Sequence, residues 1–481
     1  MFISGIIILA CFIGVIILIV TEKLNRAVSS LLGAVITYFV LIFFEGLDFS
    51  VIVDLLFGNS EDGYVNLHSL ILIIGMMIIV DISNEAGLFQ FIAIKLIIFS
   101  KGEPLKLMVI FCGITIFISA ILNNILTVII LIPLTITVSR ILNVDPSPYI
   151  LTQAVLVNIG GTFFSISSIP NILITTSAQI SFIEFFLNVG LISLIIFLFT
   201  VLFFFGLYRK DLKIPQEGKD VLEELNAWNL VQSRRLLFKS LIALTSVMVL
   251  FILVPSDIIS PDIIALSIAL ILIISVKLDP KQIISRIDFE LILYLLGIFI
   301  IAGGLEIIGI INLIGDGISG LGGNDSFLQL TIILWFSAFL SSSIDNIPIT
   351  KVLIPVVGTL SENIILPNEK QLYYSLAIGA NWGDNLTPLG DNILVLNIAE
   401  KNKRPLKFNR FFRLGFITTI YQLFLVTILY SYMFHFLLGS LLTVIILIFL
   451  FTIYFFQKFN ILGTKAFIDQ FIKRIRKTII G

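Results

Sequence analysis

Within the apolar run SSIDNIPITKVLIP, residues 342–355, stand Asp345, Asn346 and Lys351, with Ser341, Ser343 and Thr350 close by. A related run, SAILNNILTVIILIP at 119–133, offers Ser119, Asn123, Asn124 and Thr127. Hydroxyl, amide and carboxylate oxygens are hard ligands suited to Na+, and they can equally hydrogen-bond a small polar solute. Two later stretches, NIGGTFFSISSIPNILI at 158–174 and NWGDNLTPLGDNILV at 381–395, interrupt apolar sequence with Gly, Pro and Asn. Breaks of this kind free carbonyls for a cation and leave half-helix N-termini, carrying about +0.5 charge, for an anion. The first break contributes Asn158, Gly160, Gly161, Thr162, Ser165 and Asn171; the second contributes Asn381, Gly383, Asp384, Asn385, Thr387, Asp391 and Asn392. A candidate Na+ set is Ser119, Asn123, Asn124 and Gly160.

The elements that must position these groups follow from composition. With 58% hydrophobic and 13% charged residues over 481 positions, the chain is far more apolar than a soluble domain, in which about 25% of residues are charged. It reads as an all-α polytopic membrane protein. Long apolar runs predict crossings at about 4–20, 26–45, 67–85, 149–180, 186–207, 236–254, 261–277, 289–306, 371–398, 411–433 and 436–457, with re-entrant hairpins at 105–140 and 327–361. Eleven crossings result. The two breaks fall inside the expected broken helices 149–180 and 371–398. Cys11 and Cys112 lie in apolar runs as small buried hydrophobes, His68 and His435 are isolated from metal-ligand spacing, and a net charge of −1 argues against nucleic acid.

Orientation comes from the basic residues, which favour cytoplasmic loops. An N-terminus outside and a C-terminus in the cytoplasm put 28 of the 30 Lys and Arg residues on the cytoplasmic side, leaving Lys351 and Lys370. The opposite loops are acidic, with Glu45, Asp48, Asp54, Glu61 and Asp62 in one and Asp257 and Asp262 in another. A hairpin that crossed fully would flip every later loop and destroy the bias. The linker 208–235 is too short for a domain, and the basic tail KAFIDQFIKRIRK reads as a stop-transfer anchor or as a surface-lying amphipathic helix.

The chain also repeats at an offset of 222 residues: Gly75 falls on Gly297, Gly87 on Gly309, Ser119 on Ser341, Asn124 on Asn346 and Pro133 on Pro355. Matches of rare Gly, Asn and Pro carry weight that Leu and Ile do not. The breaks continue the match, pairing Asn158 with Asn381, Gly160 with Gly383 and Asn171 with Asn392. The repeats are 1–207 and 236–433, followed by an extra span and tail at 434–481. Five crossings plus a hairpin per half make the second half inverted relative to the first, the architecture of secondary transporters.

Charges at bilayer depth are costly and must pair or line a wet cavity. Lys351, whose counterpart is Ile129, is expected to reach Asp384 or Asp345 and stand in for a second cation, or else to snorkel to the outer surface. Glu85 and Glu306 are expected to end helices. No arginine falls in the expected core, so nothing there offers a bidentate carboxylate clamp.

The pairing of S-x-x-x-[DN]-N-x8-P with a following N-x-G-G/D break, in both halves, resembles the ion transporter superfamily of arsenite permeases, citrate-type and dicarboxylate carriers, Na+/H+ antiporters and the melanosomal P protein. GLEIIG at 304–309 looks like that family's motif before the second hairpin. The resemblance covers nearly the whole chain before the last span. It implies that tips and unwound loops build substrate and Na+ sites, and that one domain moves like an elevator against a scaffold, often in a dimer. Three departures stand out: Asp384 where a small residue is expected, FFSISS at 163–168 where the family usually reads ATPIGD, and a second break two residues shorter. The expected function is secondary active transport of a small inorganic or carboxylate anion, coupled to Na+ or H+ and without other cofactors. The alternatives are Na+/H+ exchange at Asp345 and Asp384 and, remotely, an intramembrane enzyme using Asp391, which the repeat disfavours.

Overall fold

The computed structural model describes residues 2–21, 23–208, 226–276, 281–282, 287–323, 325–363, 368–389, 392–445 and 448. All regular structure among them is helical. The first half holds α1 (Phe2–Val20), α2 (Arg26–Phe39), α3 (Phe49–Phe57), α4 (Val65–Glu85), α5 (Leu88–Phe99), α6 (Pro104–Ser119), α7 (Asn124–Ile141), α8 (Ser147–Gly160), α9 (Ile169–Ser177), α10 (Phe182–Phe185) and α11 (Leu191–Tyr208). The second holds α12 (Arg234–Leu253), α13 (Pro261–Val276), α14 (Phe289–Ile307), α15 (Ile310–Gly322), α16 (Ser326–Ser341), α17 (Asn346–Asn363), α18 (Gln371–Gly383), α19 (Asn392–Lys401) and α20 (Phe408–Phe434).

Eight of the described helices are long and apolar enough to cross a membrane. Seven coincide with expected crossings; the eighth is α7, an arm of the expected first hairpin. The count departs from eleven for physical reasons. Each broken crossing is two short helices, α8 with α9 and α18 with α19, and α13 has only 16 residues. Of the crossing expected at 436–457, Phe436–Ile445 is a short apolar helix, and apart from residue 448 the rest lies outside the described residues, as do the tail and most of the 208–235 linker. Large apolar side chains such as Phe43, Phe99, Ile274 and Leu321 are exposed on the outside of the molecule, where hydrocarbon would replace water.

Helix boundaries follow local chemistry. Asn25 caps α2 by accepting from Ala27 N at 2.8 Å, Asp288 caps α14 through Leu291 N at 2.9 Å, and Asn123 caps α7 through Leu126 N at 2.8 Å. After α4 and α14 the chain turns sharply through Gly87 (φ +76°) and Gly309 (φ +84°), a left-handed conformation that glycine adopts without a Cβ clash. Glu85 and Glu306 sit beside these turns at the helix ends. The bounds of α6 and α16, and of α7 and α17, are both 222 residues apart.

Two close helix pairs form the frame. Gly297 of α14 packs so tightly on α2 that an added methyl would meet the Ser30 backbone carbon at 2.6 Å, and Gly75 of α4 would meet Leu266 N of α13 at 2.8 Å. The start of α4 lies beside the end of α14, since Asn66 Nδ2 donates to Leu55 O at 2.8 Å and Gly303 faces the Leu55 side chain. Conversely Met77 and Asp81, late in α4, share a cleft with Asp288 and Leu291 at the start of α14. The two helices therefore run in opposite directions.

Candidate functional site

Between the frame and the helices after it lies a cleft of about 250 Å³. Three helix starts line it: Asn124 to Leu126 of α7, Ile169 and Pro170 of α9 behind Ser168, and Asn346 and Ile347 of α17. Asn123 and Asp345, the residues before α7 and α17, complete the two tips in its wall. Each start leaves backbone N–H groups without intrahelical partners and a positive dipole end. Asp345 Oδ1 accepts from Ile347 N at 3.2 Å and its Oδ2 from Tyr294 OH at 3.1 Å, which holds the carboxylate at the second tip.

A second cavity, of about 400 Å³, shares Arg26 and Asp345 with the cleft and adds Glu290 and Ser343. Arg26 is thus in both walls. Its Nε donates to Glu290 Oε1 at 3.2 Å, Nη2 to Asp288 Oδ2 at 3.5 Å, and the guanidinium lies 5.8 Å from the Tyr294 ring centroid. This overturns the expectation of a core without arginine. Counting Arg26 as a loop charge hid it, because it opens α2 exactly where the chain re-enters. Asp81, Asp288 and Tyr294 were missed as well. The apolar runs around Asp81 and Tyr294, and the assignment of Asp288 to a loop, gave no signal that they face the tips.

Behind each tip is a buried cage. In the first, Ser119 Oγ donates to Val157 O at 2.6 Å and Asn124 Nδ2 to Asn158 Oδ1 at 2.6 Å. In the second, Ser341 Oγ lies 2.6 Å from Ala380 O and 2.7 Å from Asp384 Oδ1, while Asn346 Nδ2 donates to Asp384 Oδ2 at 2.8 Å. Asn171 and Asn392 close the breaks alike, donating to Gly161 O and Asp384 O, each at 2.7 Å. Amides then tie the cages together: Asn158 Nδ2 donates to Asn385 Oδ1 and Asn381 Nδ2 to Asn171 Oδ1, both at 2.8 Å.

Close approach requires the glycines here. A methyl on Gly160 would meet Ser119 Cβ at 2.6 Å, one on Gly161 would meet Asn124 Oδ1 at 2.8 Å, and one on Gly383 would meet Ala338 O at 2.3 Å.

Other candidate residues fall in several places. Thr127 donates to Asn123 O at 3.0 Å, and Thr162 joins Ser193 and accepts from Trp382 Nε1 at 2.9 Å. Ser165 lines a separate cavity of about 280 Å³ beside Asp62, His68, Asp257 and Asp262. Asn385 Nδ2 donates to Val155 O at 2.9 Å and Thr387 to Ser342 O. Thr350 Oγ1 and Asn381 Oδ1 are buried and, among the described residues, have no hydrogen-bond partner. Asp391 lies outside the described residues. Of the candidate Na+ set, Asn123 turns its carbonyl to the α7 cap, Ser119 spends its proton on Val157, and Gly160 packs on Ser119.

Lys351 departs from its expected partners. Its Nζ donates to Asn66 Oδ1 at 2.7 Å and lies 5.0 Å from the Phe299 ring centroid, rather than at Asp345 or Asp384. The Asp384 carboxylate already faces Ser341 and Asn346, and Asp345 faces Tyr294. An ammonium on the far arm of α17 finds the neighbouring frame instead.

A family model described as citrate transporter matches residues 16–374. A 46 kDa membrane protein of Mycobacterium leprae is 29% identical over 427 residues, covering 86% of this chain and 96% of its own. An uncharacterized transporter of Mycobacterium tuberculosis is 27% identical over 420 residues, covering 87% and 96%. The human P protein is 26% identical over 491 residues, covering 85% of this chain and 57% of its own.

Proposed function

The chain belongs to the citrate transporter family, and from that premise we propose that it carries a small carboxylate or inorganic anion, bound between the two tips and coupled to Na+ or H+. It is a multi-pass membrane transporter of a small solute; the anion and the coupling are our reading. One observation carries it: three helix starts and Arg26 face a single cleft of about 250 Å³. Helix N-termini and a guanidinium stabilise negative charge, most strongly where water is scarce. Asp81, Asp288 and Asp345 in the same wall oppose a lone anion and favour its entry together with a cation.

Coupling is assigned to the second cage. The Ser341 hydroxyl has one proton and faces two acceptors, Ala380 O and Asp384 Oδ1. A proton on Asp384 satisfies the second contact, and a bound cation there would replace it. Thr350 Oγ1 and Asn381 Oδ1 are further oxygens open to a cation. Na+/H+ exchange without an anion is the second reading, favoured by the acidic pair Asp345 and Asp384.

The larger architecture is read in the same way. Opposed α4 and α14, and the 222-residue recurrence of helix bounds, support an inverted pair of repeats at 1–207 and 236–433. One arm of each hairpin, α6 and α16, has 16 residues and spans about 24 Å, short of the roughly 30 Å hydrocarbon core; this supports re-entry, whereas α7, with 18 residues, is long enough to cross. With the basic loops in the cytoplasm, the Arg26 mouth faces inward, and tips with breaks would move as an elevator against the frame, within a dimer. The test is thermal unfolding of purified protein with citrate, dicarboxylates and oxyanions, each with and without Na+. Stabilisation by one anion class is expected; stabilisation by Na+ alone, with every anion inert, would overturn the reading.

A further inference from the structure

Two seams, related by the 222-residue offset, differ in chemistry. In one, Lys351 of α17 crosses to the frame, where its ammonium binds Asn66 Oδ1 of α4 at 2.7 Å and lies over Phe299 of α14. The residues 222 positions earlier and later are Ile129 of α7 and Asp288 at the start of α14. Those two both line the wall of the open cleft, and Ile129 is 45% exposed. Asp288 is held instead by Arg26 of its own frame. One hairpin arm is therefore fastened to the frame by a charged hydrogen bond, and the other presents a methyl-bearing side chain to a gap.

The position of the fastened seam is also distinct. Asn66 opens α4 beside the end of α14, whereas Asp288 opens α14 beside the end of α4, so the two seams lie at opposite ends of the frame. Among the described residues no carboxylate lies within ion-pair distance of Lys351 Nζ; Glu306 and Asp62 act on it from farther away. Asn66 is its direct anchor.

We propose that the Lys351–Asn66 hydrogen bond is the latch that shuts the transport route at the Asn66 end, and that the missing counterpart at Ile129 and Asp288 leaves the tips open at the Arg26 end. Lys351 is then a positioning residue that sets which side the tips face, and it touches no cargo. This rests on the transporter reading, since only an alternating carrier has two routes to seal. A hydrogen bond to a charged group biases a two-state equilibrium about tenfold or more. The latch acts by that bias.

The reporter is Ile129→Cys with Cys11→Ser and Cys112→Ala, labelled in vesicles by a membrane-impermeant maleimide from the Arg26 face with no substrate present. Lys351→Met and Asn66→Leu are each expected to slow labelling about tenfold, because the cleft spends most of its time closed. Asn66→Asp, which turns the anchor into an ion pair, is expected to label at least as fast as the parent. Should Lys351→Met fail to fold, the opposite signs of Asn66→Leu and Asn66→Asp still decide, since a folding defect would not reproduce them. Parental rates in folded Lys351→Met and Asn66→Leu protein, or slowing by Asn66→Asp, would overturn the latch. Intact anion flux with unshifted labelling removes the latch alone; shifted labelling without anion flux removes the cargo and leaves the latch.

Discussion

The two cages behind the tips share a plan and differ by one charge. Ser119, Asn124 and Asn158 make the first wholly neutral; Ser341, Asn346 and Asp384 rebuild it around a carboxylate. In the first, Asn124 Oδ1 crowds Gly161, leaving no space for a side chain, whereas in the second the matching position is Asp384 itself. The first hydroxyl has one close acceptor and the second has two. Under the proposed function, this difference assigns proton or cation exchange to the acidic cage and leaves the neutral cage to hold shape.

The comparison breaks most sharply at the charge. Asp384→Asn keeps an acceptor for Asn346 and is expected to fold, yet to lower gradient-driven uptake about tenfold and erase its dependence on the coupling ion. Asn158→Asp, which gives the first cage a carboxylate, is the converse, and is expected to alter that dependence rather than abolish uptake. Uptake against Na+ and pH gradients checks both; equal coupling in Asp384→Asn and the parent would make the two cages equivalent.

Packing is the next largest effect. Gly383→Ala drives a methyl into Ala338 O and is expected to destabilise by about 1–3 kcal/mol, whereas Gly113→Ala, with nothing within 4 Å of its added carbon, is expected to be silent. Thermal unfolding in detergent measures the pair. Smaller again, Ile129→Lys places an ammonium in the cleft that Asp288 also lines and is expected to slow labelling of the adjoining cavity, read at Ser343→Cys, by several-fold. Unchanged labelling would separate the two seams from any common logic.

Much of this was legible because Gly, Pro and Asn are rare in apolar sequence. Their spacing marked the breaks and the 222-residue recurrence, and the bounds of the helix pairs α6–α7 and α16–α17 fall within two residues of 105–140 and 327–361; that these pairs re-enter the membrane belongs to the proposed function. What stayed hidden was pairing across long separations. The Asn158–Asn385 and Asn171–Asn381 links span 227 and 210 positions, and sequence order does not say which amides meet. Arg26 was hidden by its own usefulness, since a basic residue at a helix start serves both the charge bias and the cleft. Lys351 was seen as exceptional, but its choice between Asp384 and Asn66 depends on the packing of α17 against the frame.

The most direct measurement uses purified protein in liposomes with a trapped pH dye and labelled citrate, first under a Na+ gradient alone and then with the anion supplied. The account predicts no pH change under Na+ alone, and saturable anion uptake driven by a Na+ or H+ gradient once citrate or a related anion is present. A Na+-driven pH change without any anion, lost in Asp345→Asn, would contradict it and make the protein an exchanger of cations.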